Sequence, residues 1–483
     1  MRKMTAVSIV AAGLSLAVAA GVAAAGAGSE GALSSETRQG ATLLRDKAFS
    51  GMGASDWARS LTDRVGPRPA GSAGDRAAVA WALAAMQSIG LSHVRAEKVT
   101  VPVWRRGIET AAIQGPYPQP LAVTALGGSV PTPPEGLEAQ ILEVSSIEDL
   151  ETRGEAARGK IVFFDKKMQR ALDMSGYSRA VDVRSGGASA AAKAGAMGAL
   201  IRSIGTDHNR TPHTGGVTYS EGVAKIPAAA LSIPDAELLE RILAEGRPVR
   251  VRFTLGCAAQ PDAESANVVG EIPGQGKDTE VVLLGAHLDS WDLGTGAIDD
   301  AAGCGIVLGA ARAILESKLR HARTIRVVLF ANEEYGLSGG KAYRVAHAGE
   351  LVRHVAALEA DSGSGRPIGF SWLAGPSAAP VLRELAAILA PLGAGELRPG
   401  GSGGADVSPL RADGVPQFSV RQDTSRYFDW HHSANDTFDK IEPGEMDRNA
   451  AAVAAFAWTA ASVAAPFDRI PEDKRTDPPR ARR

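Results

Sequence analysis

From residue 267 onward, apolar runs of strand length alternate with longer stretches whose apolar residues recur at helical spacing. The pattern predicts strands over 267–272, 281–289, 324–332, 355–361 and 416–421. It predicts helices over 301–317, 339–347, 379–389 and 444–464. The run at 281–285 lacks the in-out alternation of a half-exposed strand, so it reads as covered on both faces. Strand and helix in that order imply an α/β fold of three layers: a mostly parallel, mixed sheet with helices on both sides.

Upstream the pattern changes twice. Residues 37–62 read as helix, the Gly/Pro/Ser cluster after them as a loop, 75–89 as an amphipathic helix closed by Gly90, and 93–104 as a strand. Between 109 and 257 short strand signals (139–144, 160–164, 199–203, 228–233, 249–255) and two helical runs (186–197, 235–245) sit among Gly- and Pro-rich connections. This region reads as an inserted α/β module that frames a site elsewhere. Its His208 and His213 lie in a loop of Asn, Thr and Gly and read as surface residues, not ligands. The expected organisation is a signal peptide over 1–27, the first part of a catalytic domain over 28–108, the insert over 109–257, the rest of the catalytic domain over 258–467, and a disordered, charged tail over 468–483.

Composition narrows the function. An apolar content of 45% and a charged content of 22% describe a globular chain. The net charge of −2 and an aromatic content of 5% give no basis for nucleic acid as a partner. Arg2 and Lys3 precede an Ala/Val/Leu/Ile run with small residues after it, the layout of a secretory signal, so the chain is expected to be secreted or periplasmic without stable membrane association after cleavage. Cys257 and Cys304 are too few for a thiolate metal site; they read as free thiols, with a single disulfide between them left open.

The chemistry sits where the apolar runs stop. The run at 281–285 ends on His287 and Asp289, and the loop after it ends on Asp299 and Asp300. A second run ends on Glu333 and Glu334, a third on Asp361, and His431 and His432 stand in a polar loop before the last helix. Open α/β sheets build their ligand crevices at these carboxyl ends. Two imidazoles and several carboxylates suit two divalent cations sharing one carboxylate. Adjacent side chains on an extended segment point opposite ways, so the Glu333–Glu334 pair can supply both a ligand and a base.

HLDSWDLGTGAIDD, FANEEYG, LEADSG and HHSANDT, in that order, resemble the dizinc exopeptidases of peptidase clan MH, and within it the plasma glutamate carboxypeptidase (carboxypeptidase Q) family of aminopeptidase- and dipeptidase-like enzymes. The resemblance takes in the RVGPRPAGS loop, the GGSGGADVSPLRADGVP segment and an insert like a protease-associated domain. It implies two zinc ions per chain, one on His287 and Asp361, the other on Glu334 and His432, with Asp299 between them. It implies Glu333 as general base, Asp289 orienting His287, and a cis peptide after Asp299. His432 is preferred to His431 as ligand because the family's histidine stands four residues before an acidic-Thr pair, here Asp436–Thr437. His431 falls where relatives often carry tyrosine and is assigned to oxyanion stabilisation. The implied activity is hydrolysis of a terminal peptide bond of short peptides, and the resemblance allows a homodimer. A single-zinc acyl-transfer cyclase and a non-catalytic binding module stand as alternatives on the same fold. A serine hydrolase does not fit, because no G-x-S-x-G elbow follows a strand.

Overall fold

A computed structural model describes residues 31–276 and 280–476. The signal-like segment lies outside the described residues. The chain builds two mixed eight-stranded sheets. In the first, Thr324–Phe330, Val281–His287, His354–Glu359 and Gln417–Gln422 run parallel side by side. Ala258–Ile272 and Ser92–Arg105 extend this sheet antiparallel on one side, and Pro367–Leu373 with Glu396–Pro399 close the other. Helices cover both faces, and the apolar runs are buried throughout as their composition requires.

Two long strands explain how residues 109–255 are accommodated. Ser92–Arg105 and Ala258–Ile272 pair from Ser92 opposite Glu271 to Arg105 opposite Ala258. Their far ends lead into and out of the second sheet, whose strands Glu109–Gly115 and Arg250–Leu255 also pair. Entry and exit are therefore neighbours, which lets a module be inserted without interrupting the first sheet. Strands Leu137–Val144, Ile161–Phe164, Gly198–Arg202 and Ala228–Leu231 run parallel within the second sheet. Apolar clusters of its own fill it, around Phe163, Phe253 and Leu239 on one side and Phe164, Val183 and Ile201 on the other.

Three expectations change. Residues 37–62 form two helices, Ser35–Phe49 and Ala54–Arg64, because Gly51 and Gly53 adopt φ of 98° and 79°, which a right-handed helix cannot contain. Strands Pro367–Leu373 and Glu396–Pro399 have no counterpart among the expected elements. Residues 468–475, expected within a disordered tail, are tied down. Arg469 donates to the carbonyls of Leu351 and Asp413, Ile470 is buried, and Glu472–Lys474 makes a helical turn. Cys257 and Cys304 are buried and unbridged, as free thiols.

Helix Ala302–Ser317 packs against Ala54–Arg64 and the closing helix Pro443–Ser462. Small residues make this approach possible. A Cβ at Gly305 would stand 2.2 Å from the Ala54 carbonyl oxygen. Gly305→Ala should therefore lower unfolding free energy by about 1–3 kcal/mol through overpacking. A denaturant midpoint equal to that of the parent would contradict this packing.

Candidate metal centre

Strand register collects the predicted residues on one sheet edge. His287 lies opposite Phe330, just before Glu333 and Glu334 in sequence, and Gly285 opposite Glu359 sets Asp361 level with His287. Asp299 returns to this edge at the end of the loop that follows His287. Its Oδ1 is 3.0 Å from His287 Nε2 and its Oδ2 is 3.2 Å from His432 Nε2, so one carboxylate stands between two imidazoles. Asp361 Oδ1 lies 3.7 Å from His287 Nε2, and Glu334 Oε2 lies 2.9 Å from His432 Nε2. His431 Nε2 is 3.6 Å from Asp299 Oδ2, and its ring stacks on that of His432 with centroids 3.5 Å apart. Glu333 lines the same cavity.

Supporting contacts fix these side chains. His287 Nδ1 donates to the Asp289 carbonyl at 3.1 Å, which leaves Nε2 as the nitrogen facing the cluster. The Asp289 carboxylate, expected to orient His287, lies 3.6 Å from Nδ1 and chiefly accepts the backbone N–H groups of Glu333 and Glu334, at 2.9 and 3.3 Å. Asp289 therefore sets both elements of the site. Asp300 accepts from the His287 and Gly303 N–H groups, and the Asp299–Asp300 peptide is cis. Asp436 Oδ1 accepts from Ala297 and Ile298 at 2.8 and 2.7 Å, directly before Asp299.

Sequence reasoning gave no role to two groups from elsewhere. Arg68, fully buried, donates to the carbonyls of Leu288, Thr295 and Gly296 and so ties down the loop between His287 and Asp299. His213 overturns the expectation of a surface residue. It is buried, donates from Nδ1 to the His431 carbonyl at 2.6 Å, and pairs through Nε2 with Asp207 at 2.9 Å. The next residue, Thr214, donates its N–H to the His432 carbonyl. These bonds hold His432 at φ 59°, a conformation that a non-glycine residue adopts only when its surroundings impose it. His208 is exposed, as expected. The local signals for His213 were polar and gave no hint of burial, because the loop 424–436 that covers it is remote in sequence.

The electrostatics are those of a site short of positive charge. Burial, reinforced by neighbouring carboxylates, pushes Glu333, Glu334 and Asp361 above the usual carboxylate range. Burial also acts on Asp299, but bonds to His287 and His432 outweigh it and hold that group well below the range. Burial would lower His432; Glu334 and Asp299 instead hold it at about 9. Burial and the adjacent His432 charge push His431 well below its ordinary value. Among the described residues, Glu334 Oε1 and His431 Nδ1 are buried without a hydrogen-bond partner. Unpaired buried carboxylate oxygens are costly unless a cation or proton reaches them. Ligand atoms of His287, Asp299 and Asp361 lie within 4.8 Å of one another, as do those of Asp299, His431 and His432. The donor set, hard oxygen with imidazole nitrogen, fits zinc-type divalent ions.

The profile of peptidase family M28 matches residues 267–457, the span containing the cluster. Carboxypeptidase Q from Homo sapiens is 37% identical over 402 residues, covering 83% of this chain and 83% of that protein. The chain belongs to peptidase family M28. Carboxypeptidase Q from Mus musculus is 36% identical over 403 residues, covering 83% of this chain and 84% of its own length. Among solved structures, a peptidase M28 precursor from Shewanella amazonensis SB2B is 47% identical, with a TM-score of 0.87 over 90% of this chain and 99% of that one. A zinc aminopeptidase from Bacillus subtilis shares the fold, with a TM-score of 0.61 and 22% identity over 89% of this chain and 98% of its own.

Asp436→Ala leaves two buried N–H groups beside Asp299 without an acceptor. A stability loss of about 2–4 kcal/mol by denaturant unfolding is the expected result. An unchanged midpoint would show that Asp436 does not support the loop.

Proposed function

We propose that this M28 family member is a zinc-dependent exopeptidase that hydrolyses a terminal peptide bond of short peptides. The observation that carries this reading is Asp299, set between His287 and His432 with one oxygen toward each. His287 and Asp361 would hold one ion and Glu334 and His432 the other, with Asp299 shared. Bound there, two divalent cations supply Lewis-acid activation of the attacking water and the scissile carbonyl. Glu333 takes the proton from that water at its carboxylate and returns it to the leaving amine. Asp289, bonded to the Glu333 and Glu334 N–H groups, keeps base and ligand in register. His431, which lines the cavity with Nε2 3.6 Å from Asp299 Oδ2, is the protein group we assign to the developing oxyanion. The insert frames the cavity, and the signal-like segment supports action outside the cytoplasm. No helix among the described residues is long and apolar enough to cross a membrane.

Glu333→Gln should lower kcat by about 10²–10⁴ on a dipeptide panel while metal content stays at the parental level. Full activity in that variant would remove Glu333 as base. Chelation should abolish hydrolysis and added zinc restore it; activity that survives metal removal would overturn the proposal. His431→Ala should reduce kcat more than it raises KM, and unchanged turnover would withdraw the oxyanion role.

A further inference from the structure

The cavity over the cluster has a volume of about 1100 Å³, and one of its walls comes from RPGGSGGA, residues 398–405. Gly400, Gly401, Ser402, Gly404 and Ala405 present almost no side chain to that space, which suits a peptide backbone passing close by. Arg398 is the one long side chain in the stretch. It stands on Glu396–Pro399, the edge strand of the first sheet, and its Nη1 donates to Asp173 Oδ2 at 2.8 Å. Asp173 belongs to the insert. Both residues line the same cavity as Asp299 and Glu333, so the ion pair reaches from a wall of the first sheet to a wall of the insert.

Docking of the insert does not require this pair. The segment 165–174, irregular between strand Ile161–Phe164 and helix Ser175–Ala180, is already tied to the loop 424–436. Arg170 bonds both carboxylate oxygens of Asp429, at 2.6 and 3.1 Å, and the Leu172 carbonyl accepts the Thr424 N–H at 3.1 Å. Asp173 Oδ1 accepts the Ser175 N–H at 3.0 Å, which fixes the carboxylate at the start of its helix. Bonds from Ser175, joined by Arg398, hold that carboxyl down at about 2, so it is charged at neutral and mildly acid pH. The Arg398 side chain is 60% exposed, and an ion pair so placed adds little to stability. Its position is what sets it apart. A peptide chain extending past this point has to displace the guanidinium from Asp173. Cavities of about 300–1,000 Å³ enclose a ligand of drug size, so the space on the near side of the pair suits a peptide of a few residues.

We propose that the Arg398–Asp173 ion pair is a cross-bar that sets the upper length of peptide the cavity accepts. The proposal rests on the metallo-exopeptidase reading and names what limits its substrates to short peptides. The test measures kcat/KM of the zinc-loaded full chain on alanine peptides of two to six residues. The parent should fall about fivefold along the series, equal to about 1 kcal/mol, the upper end for an exposed ion pair. Salt screens such a pair, so the fall should shrink to about twofold or less in 1 M sodium chloride. Arg398→Ala should remove the fall at either salt concentration, with dialanine turnover, zinc per chain and Tm at parental levels. Asp173→Asn should act in the same direction by a smaller factor. If neither variant folds, the salt dependence of the parent decides the matter alone. A parent whose rate ignores length, a fall that salt does not change, or an Arg398→Ala protein that keeps the fall would overturn the proposal while leaving the exopeptidase reading intact. Chelator-resistant hydrolysis would instead refute that underlying reading.

Discussion

Everything in this molecule is arranged around a concentration of buried negative charge. Asp299, Glu333, Glu334 and Asp361 converge on one sheet edge with His287, His431 and His432 interleaved. Such a cluster is unfavourable by itself, since each carboxylate loses water and meets like charge. It persists because the surrounding backbone is over-determined. Arg68 holds the carbonyls of the loop after His287, Asp436 holds the N–H groups before Asp299, and Asp289 holds those of Glu333 and Glu334.

The insert contributes to this support as well as to the cavity wall. His213 and Thr214 bond to the carbonyls of His431 and His432, and Thr206 bonds to the Phe428 carbonyl. Arg170 pairs with Asp429 on the same loop. One half of the centre thus depends on a module that begins and ends at the far end of a two-stranded ribbon. Arg106 locks that junction, partly buried between Glu109 and Asp292.

Much of this is legible in the sequence because the signals are local. An apolar run that stops on a carboxylate marks both a buried parallel strand and its functional end, so the amino-acid order alone assigns His287, Glu333, Glu334 and Asp361 to one sheet edge. The helix after Asp300 is equally plain. The break at Gly51–Gly53 is not, since the residues on both sides keep helical spacing. His213 and Arg184 are illegible for a deeper reason. Each sits in a locally polar or Ala/Gly/Ser-rich segment, and its burial arises from contact with residues more than 200 positions away. Asp289 stands out in the sequence as a supporting residue, but its bonds to two backbone N–H groups depend on strand register, which composition does not encode.

The central claim is that Asp299 is the shared ligand of a two-cation centre. Zinc counted per chain by mass spectrometry, in the parent and in Asp299→Ala, tests it most directly. The account predicts two ions in the parent, falling to one or fewer when the shared carboxylate is removed, with the fold retained. A parent that binds none, or a variant that keeps two, would contradict it.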